Sequence, residues 1–196
     1  TKSIPKFDPS MGILDKVTVR GDACLAQDFK IDNEDSSNQC YNLTTTADIT
    51  TPLPAGKTLA ISLDLFTDFQ FCLTNDTDPG FGDFTGTDFF GKFGKICDDI
   101  EVEITDPGDL ASWIGSGNLS FTTKADGTSN LEGNANYDQQ IRTYANETIC
   151  VTYEYHTLSI SGSKVNNCTG EGLAGWTITL KKDGAEIAST TTGSDG

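Results

Sequence analysis

The sequence predicts an all-β protein: an antiparallel β-sandwich of jelly-roll or immunoglobulin-like type, followed by a partial second β-sandwich. Three observations carry this. Apolar and polar residues alternate in runs of strand length. Clusters of Gly, Pro, Asn, Asp and Ser separate those runs. The pattern then changes at Thr157, which divides the chain into residues 1–157 and 158–196. A chain of 196 residues holds one β-domain of about 150 residues plus a smaller piece.

The elements follow in order. Lys16 to Arg20 alternates Val17 and Val19 with polar neighbours, the mark of a half-buried strand. Phe29 and Ile31 face one way over residues 28–32. Glu34 to Asn38 is a turn cluster, and Tyr41 to Ile49 returns from it. Pro52 and Pro54 interrupt pairing, because proline lacks the backbone donor a ladder needs. Leu59, Ile61, Leu63 and Leu65 form the clearest strand face, with Phe69 and Phe71 beyond it. Ile96 to Ile104 alternates with Asp99, Glu101 and Glu103. Ile149, Val151, Tyr153 and Tyr155 repeat the pattern over residues 148–155. A short helix is expected only at Gly108 to Ile114.

Composition narrows the function classes. The formal net charge is −16, which argues against nucleic acid, whose binders present basic surfaces. No apolar run reaches the length of about 18 residues needed to span a bilayer as a helix, so no membrane span is expected. Six cysteines, Cys24, Cys40, Cys72, Cys97, Cys150 and Cys168, are scattered and even in number. None lies in a CxxC pair or near a histidine, so disulfides formed outside the cytoplasm are expected rather than zinc. Connectivity does not follow from sequence. Cys72–Cys97 is the first expectation because the two flank one glycine-rich excursion; Cys24–Cys40 and Cys150–Cys168 follow, with a partner for Cys168 beyond Gly196 as the alternative. Asn-x-Ser/Thr occurs at Asn42, Asn75, Asn118, Asn146 and Asn167, where chance gives about two such triplets. Cysteines and sequons together predict an extracellular glycoprotein of archaeal or eukaryotic type.

Two stretches resemble known families. Lys6 to Leu14 (KFDPSMGIL) is similar to the KFDPSLGTL opening of choice-of-anchor E domains. Leu110 to Phe121, with Gly115-Ser116-Gly117, resembles that family's pre-terminal strand, and Asn146 to Tyr155 resembles its closing strand. The resemblance covers about residues 2–157 and implies an extracytoplasmic β-domain of surface proteins with no assigned chemistry. The family's opening usually follows another strand, which this chain lacks, and the cysteines lie outside its pattern. After Thr157, Ile160-Ser161-Gly162, Gly172 to Leu180 and the turn at Thr191 to Gly196 resemble the opening of a prealbumin-like B-type repeat of surface adhesins. This resemblance implies an incomplete copy of that small β-domain over 158–196.

Chemistry-bearing residues are few. Residues 80–94 pack five Phe among five Gly, which can form a self-association patch or cap the core. Ile4, Phe7, Phe81, Phe84, Phe89 and Phe90 are the interface candidates. Residues 64–109 hold twelve Asp and Glu against Lys92 and Lys95. These acids read first as a solvated acidic face with no cofactor; Ca2+ is the alternative, with oxygens at Asp32-Asn33-Glu34-Asp35 and Asn75-Asp76-Thr77-Asp78, neither of which has the spacing of a helix-loop-helix site. Trp113 and Trp176 are candidate sugar platforms, Trp176 also reading as core. No catalytic residue is assigned, because the single histidine, His156, has no nucleophile in sequence context and no carboxylate pair stands out.

The function expected is a non-enzymatic structural subunit of a cell-surface assembly, whether filament, sheath or surface layer. Its expected partners are further copies, joined head-to-tail through β-strand contacts from residues 1–7 or 158–196, and N-linked glycans. The alternative is an adhesin-type binding module for glycan or protein on a repeat stalk.

Overall fold

The structure is a computed structural model that describes residues 1–76, 82–133 and 136–196. The chain divides into two compact units, Thr1–His156 and Thr157–Gly196. The first unit holds β1 (Lys2–Pro5), β2 (Ile13–Asn33), β3 (Gln39–Pro52), β4 (Thr58–Leu73), β5 (Phe89–Ile104), α1 (Pro107–Leu110), β6 (Asn118–Phe121), β7 (Lys124–Glu132) and β8 (Tyr137–His156). The second holds β9 (Thr177–Lys182) and β10 (Ala185–Thr191).

The first unit is an antiparallel β-sandwich. One sheet has the order β5-β2-β8, the other β4-β3-β7, and β1 pairs with β6 as a small ribbon. The central strands β2 and β3 are the most strictly alternating. Along β2, Val17, Val19, Ala23, Leu25, Phe29 and Ile31 point inward and are fully covered. Along β3, Tyr41, Leu43, Ala47 and Ile49 do the same from the facing sheet. Each residue of the period-2 pattern thus finds apolar surface opposite, which is what holds the register. The two sheets meet closely where β4 faces β5. A Cβ on Gly94 would lie 2.6 Å from the Phe66 ring, so glycine there lets the ring sit directly on the strand.

The core is layered. At one end Phe7, Leu14, Trp113 and Phe121 pack together; the middle is Ala23, Leu25, Ala47, Ile49, Ile61 and Leu63; the other end is aromatic, around Phe29, Tyr41 and Phe66. In that aromatic layer Phe71 and Phe90 stack at 4.5 Å between centroids. Buried polar groups are partly matched: Trp113 Nε1, Asn42 Oδ1 and Glu147 Oε1 take no hydrogen bond among the described residues, whereas Gln27 is fully used. Gln27 is fully buried; its amide donates to Ser129 Oγ (3.2 Å) and Thr143 Oγ1 (3.0 Å) and its carbonyl accepts from Thr45 Oγ1 (2.9 Å).

Two disulfides form, Cys24–Cys97 and Cys40–Cys72. The expected Cys72–Cys97 and Cys24–Cys40 pairs do not. The reason is register. Cys24 lies directly opposite Cys97 on the β2–β5 ladder, and Cys40 opposite Cys72 on the β3–β4 ladder. Cys24 and Cys40 belong to different sheets and alternate out of phase with the buried residues, so the core separates them. Cys150, outward on β8, and Cys168, in the second unit, are free and exposed instead of bridged. Two disulfides place the chain's folding in an oxidising compartment rather than the reducing cytosol. Among the described residues no helix is long and apolar enough to cross a membrane.

The second unit is one antiparallel hairpin, β9 and β10, with irregular chain before it. Its two-residue turn is Asp183-Gly184, both with positive φ (52° and 85°), as the right-handed twist of a hairpin requires. An isolated bridge joins Val165 to Gly172, and Lys164 N–H donates to the Gly196 carbonyl at 2.7 Å.

Candidate functional site

Three features of the surface stand out. The first is the end of the sandwich where β2 finishes. Asn33, almost fully buried, organises it. Its amide donates to the Ser37 and Thr74 carbonyls (3.0 and 2.7 Å), and its side-chain oxygen accepts from Tyr41 Oη (3.0 Å) and the Asp35 N–H (3.3 Å). Burial, with the Asp35 charge second, pushes the Tyr41 hydroxyl up to about 12, so it stays a donor. The two acidic stretches singled out in the sequence meet here, the Asp76 N–H donating to the Asp35 carbonyl at 2.9 Å. The loop before β5 joins them: the Phe84 N–H donates to Asp32 Oδ2 at 2.7 Å. Gly82 N–H donates to Asp138 Oδ2 at 2.9 Å. Asp78 lies outside the described residues. Asp32 is 4% exposed and Asp88 7%. Burial first, then the charges of Asp88, Asp83 and Asp76, raises the Asp32 carboxyl above its ordinary value, against the N–H bond from Phe84. Glu34 is raised for the same leading reason, with Asp138 the largest like charge. Among the described residues no three His, Cys, Asp or Glu side chains already stand as a metal cluster.

The second feature is the open side of the sandwich. Among the described residues β7 pairs only with β3, and β8 only with β2, so both present an unpaired edge. Between them lies a cleft of about 380 Å³, lined by Ala125, Gly127, Thr128, Ser129, Thr143 and Ala145 over Leu25 and Ala47. Small side chains keep this cleft from filling itself. The Gln27 amide crosses beneath it from Ser129 to Thr143.

The third feature is the hairpin unit. Leu158, Ile160, Trp176, Ile178, Leu180 and Ile187 are all exposed, from 40% to 80%. Leu158, Ile160, Ile178, Leu180 and Ala188 line an apolar trough of about 590 Å³. On the β-ladder Ala188 stands opposite Leu180 and Thr190 opposite Ile178, which gathers these side chains on one face.

Several sequence expectations move. Phe7 is buried at 3% and rests on Tyr153 and Tyr155, so it is core, not interface. Ile4 packs half-buried on the same layer, and β1 pairs within the chain, which occupies residues 2–5 and removes them as an exchanged strand. Phe90 belongs to the aromatic layer, and Phe84 meets Phe89 edge-on at 6.1 Å; all three are half-buried. Phe81 lies outside the described residues. The ring that does stand free is Phe93, 65% exposed, because it points outward from β5. The two tryptophans exchange roles: Trp113 is fully buried and is no sugar platform, whereas Trp176 is 53% exposed, with Lys164 Nζ 5.3 Å from its ring, and is no core residue. His156 ends β8, paired with Asp15 at 2.8 Å in solvent. Of the sequons, Asn118, Asn146 and Asn167 are exposed. Asn75 is half-buried and donates to the Asp76 carbonyl at 3.2 Å, and Asn42 sits on β3 with its side-chain oxygen buried.

Searches against family models, curated proteins and solved structures find no match to this chain, so any functional reading rests on its own residues.

Proposed function

We propose that this chain is a non-enzymatic structural subunit of an extracellular surface assembly, a filament, sheath or layer, whose copies join head-to-tail through β-strand contacts. The observation that carries the reading is the uncovered apolar face of the hairpin unit Thr157–Gly196. A two-stranded hairpin is at best marginally stable alone in water, and its apolar face needs a covering surface. Ile160, Ile178 and Leu180 stay 80%, 45% and 40% exposed around an open trough.

The covering surface is a second copy. Charge supports the head-to-tail sense. Thr157–Gly196 carries three Lys against four acidic residues, while Thr1–His156 carries ten Lys and Arg against 25 acidic residues. Two sandwiches facing each other repel; a near-neutral hairpin against a sandwich does not. The acceptor is the cleft between β7 and β8, where two unpaired edges offer backbone donors and acceptors to an added strand. Donor and acceptor differ, so the contact propagates rather than closing as a two-fold dimer. The disulfides and exposed sequons suit the outside of a cell, with N-linked glycans on the faces left free.

Sedimentation velocity with negative-stain electron microscopy tests this on the intact chain. Ordered oligomers that grow with concentration are expected, and Ile178→Asp or Leu180→Asp should shift them to monomer while the sandwich keeps its melting transition. A chain that stays monomeric at all concentrations, with hairpin amides protected from exchange, refutes the reading and favours the stalked binding module.

A further inference from the structure

We propose that the outer face of the β5-β2-β8 sheet seats the first sugar of an N-linked glycan carried by Asn146, held between Phe93 and Tyr144. The proposal rests on the reading of Asn146 as a glycan acceptor and adds where its sugar lies and what holds it.

Register builds the seat. Outward residues of neighbouring strands stand in rows across a sheet. In one row Ala26 of β2 lies between Lys95 of β5 and Tyr144 of β8; in the next Cys24 lies between Cys97 and Asn146. Phe93 stands one row to the other side, opposite Asp28. Alanine and a bridged cysteine keep the central strand low. A groove of about 330 Å³ therefore opens over Ala26 and Cys24, with Phe93 and Lys95 along one wall and Tyr144 and Asn146 along the other. The two wall strands lie two strand spacings apart, about 10 Å, which admits one saturated ring with an aromatic on either side. Phe93 and Tyr144 are 65% and 60% exposed, the barest rings of the sandwich among the described residues.

The independent observation is that the groove contains its own point of attachment. Asn146 opens the sequon Asn146-Glu147-Thr148. Asn146 and Thr148 are exposed and lie on the same face as Tyr144, because side chains two apart on a strand point one way. Ala145 between them lines the cleft towards β7. A substituent on Asn146 thus emerges beside Tyr144 and stays on the outer face. Among the described residues β8 pairs only with β2, so the sequon lies on an open edge that a transferase can reach. Attachment joins Asn146 Nδ2 to C1 of a glycosyl phosphate donor: the C1–O bond breaks, the phosphate leaves with its electron pair, and the amide gives up one proton.

The chemistry of the walls suits that occupant. A pyranose presents C–H groups on its faces and hydroxyls around its rim. The faces pack on aromatic rings, while the Lys95 ammonium can donate to a rim oxygen. The competing occupant is an apolar segment of a second copy, since exposed rings also mark protein contacts.

The intact protein, produced in a host that glycosylates it, tests this. Glycopeptide mapping should find sugar at Asn146 in the wild type and none in Thr148→Val, which destroys the sequon and keeps a β-branched residue. Tyr144→Thr should lower Tm by about 2–4 °C more in the glycosylated protein than in the Thr148→Val background, and Phe93→Thr should act in the same sense. Nuclear magnetic resonance of the wild type should show protons of the first sugar shifted upfield by the rings, a readout that needs no variant to fold. A bare Asn146 overturns the seat together with the acceptor reading. Sugar at Asn146 with unshifted protons, or an equal Tyr144→Thr loss in both backgrounds, overturns the seat alone. A Tyr144→Thr change that alters sedimentation in the Thr148→Val background assigns the groove to a contact between copies and also overturns it.

Discussion

Removing the two disulfides one at a time should reveal that they are nested. Cys24–Cys97 spans 73 residues of chain and Cys40–Cys72 spans 32, the second lying inside the first. All four cysteines alternate out of phase with the buried residues, so Cys→Ser pairs leave no core cavity and the effect falls on the unfolded chain. In the chain-entropy account the inner bridge, closing its loop alone, contributes about 3.7 kcal/mol. With the inner bridge intact, the outer one closes an effective loop of only about 40 residues and adds about 3.9 kcal/mol, where alone it would give about 4.4. Single removal from the native protein should therefore cost about 3.9 kcal/mol for Cys24/Cys97 and about 3.2 for Cys40/Cys72, and removal of both about 7.6. The last figure is comparable to the whole stability of an ordinary domain, so the double variant should sit at the edge of unfolding. Urea denaturation of the three variants, with Cys150→Ser as control, measures this. The m-value should rise as each bridge is lost, because the unfolded chain expands. An inner bridge that matters more than the outer one, or losses below about 1 kcal/mol, would show that native contacts and not loop closure set the effect.

Further predictions come from single positions. Asp32 and Glu34 have carboxyls raised in the folded state by burial first and like charge second, so the protein should gain stability as pH falls from neutral through their folded values and lose it as pH rises; Asp32→Asn should flatten the melting temperature over that window, while Asp8, lowered by the Ser10 N–H, acts in the opposite sense at lower pH. Glycopeptide mapping of native material should find sugar at Asn118, Asn146 and Asn167 and none at Asn42, whose side-chain oxygen is buried between neighbouring strands. Gln27→Ala should cost about 2–4 kcal/mol in urea denaturation, since Thr45 and Ser129 keep only each other as partners beneath the cleft. Assembly should strengthen with salt if the apolar trough makes the contact and weaken if Lys181 and Lys182 make it, a difference that light scattering across an ionic-strength series reads directly.

The sandwich was legible wherever one face of a strand is buried, because period-2 alternation is the physical cause of that burial. Leu59, Ile61 and Leu63 lie inward as their spacing requires, and so do Val17 and Val19. What could not be read were properties of two strands taken together. Cys24 meets Cys97 only because the β2–β5 register aligns them across 73 residues, and no local feature encodes that alignment. The strand β7 carries no signature in the sequence, because Lys124 to Glu132 is nearly all polar and an edge strand exposed on both faces has no alternation to show. The tryptophans misled for a related reason. Trp113 sits in a short irregular stretch with no strand alternation yet fills the end of the core, while Trp176 sits among alternating residues and stays 53% exposed. The acidic stretches at Asp32 and Asn75 were visible separately; their meeting at Asn33 was not.

The contrast between interior and surface bears on where function lies. Inside the sandwich Gln27 and Asn33 each satisfy donors and acceptors through several strands at once, while Trp113 Nε1 takes no hydrogen bond among the described residues. Among the described residues the β7 and β8 edges take no further strand, and Ile178 and Leu180 are exposed. Both carry a cost in the isolated chain: open backbone edges and an apolar face in water. In the proposed assembly an added strand would relieve the first and a facing surface the second, which a single kind of subunit can exploit by repetition. Leu180→Asp should then abolish assembly and leave the melting transition of the sandwich unchanged, which sedimentation velocity and thermal melting on the same samples check.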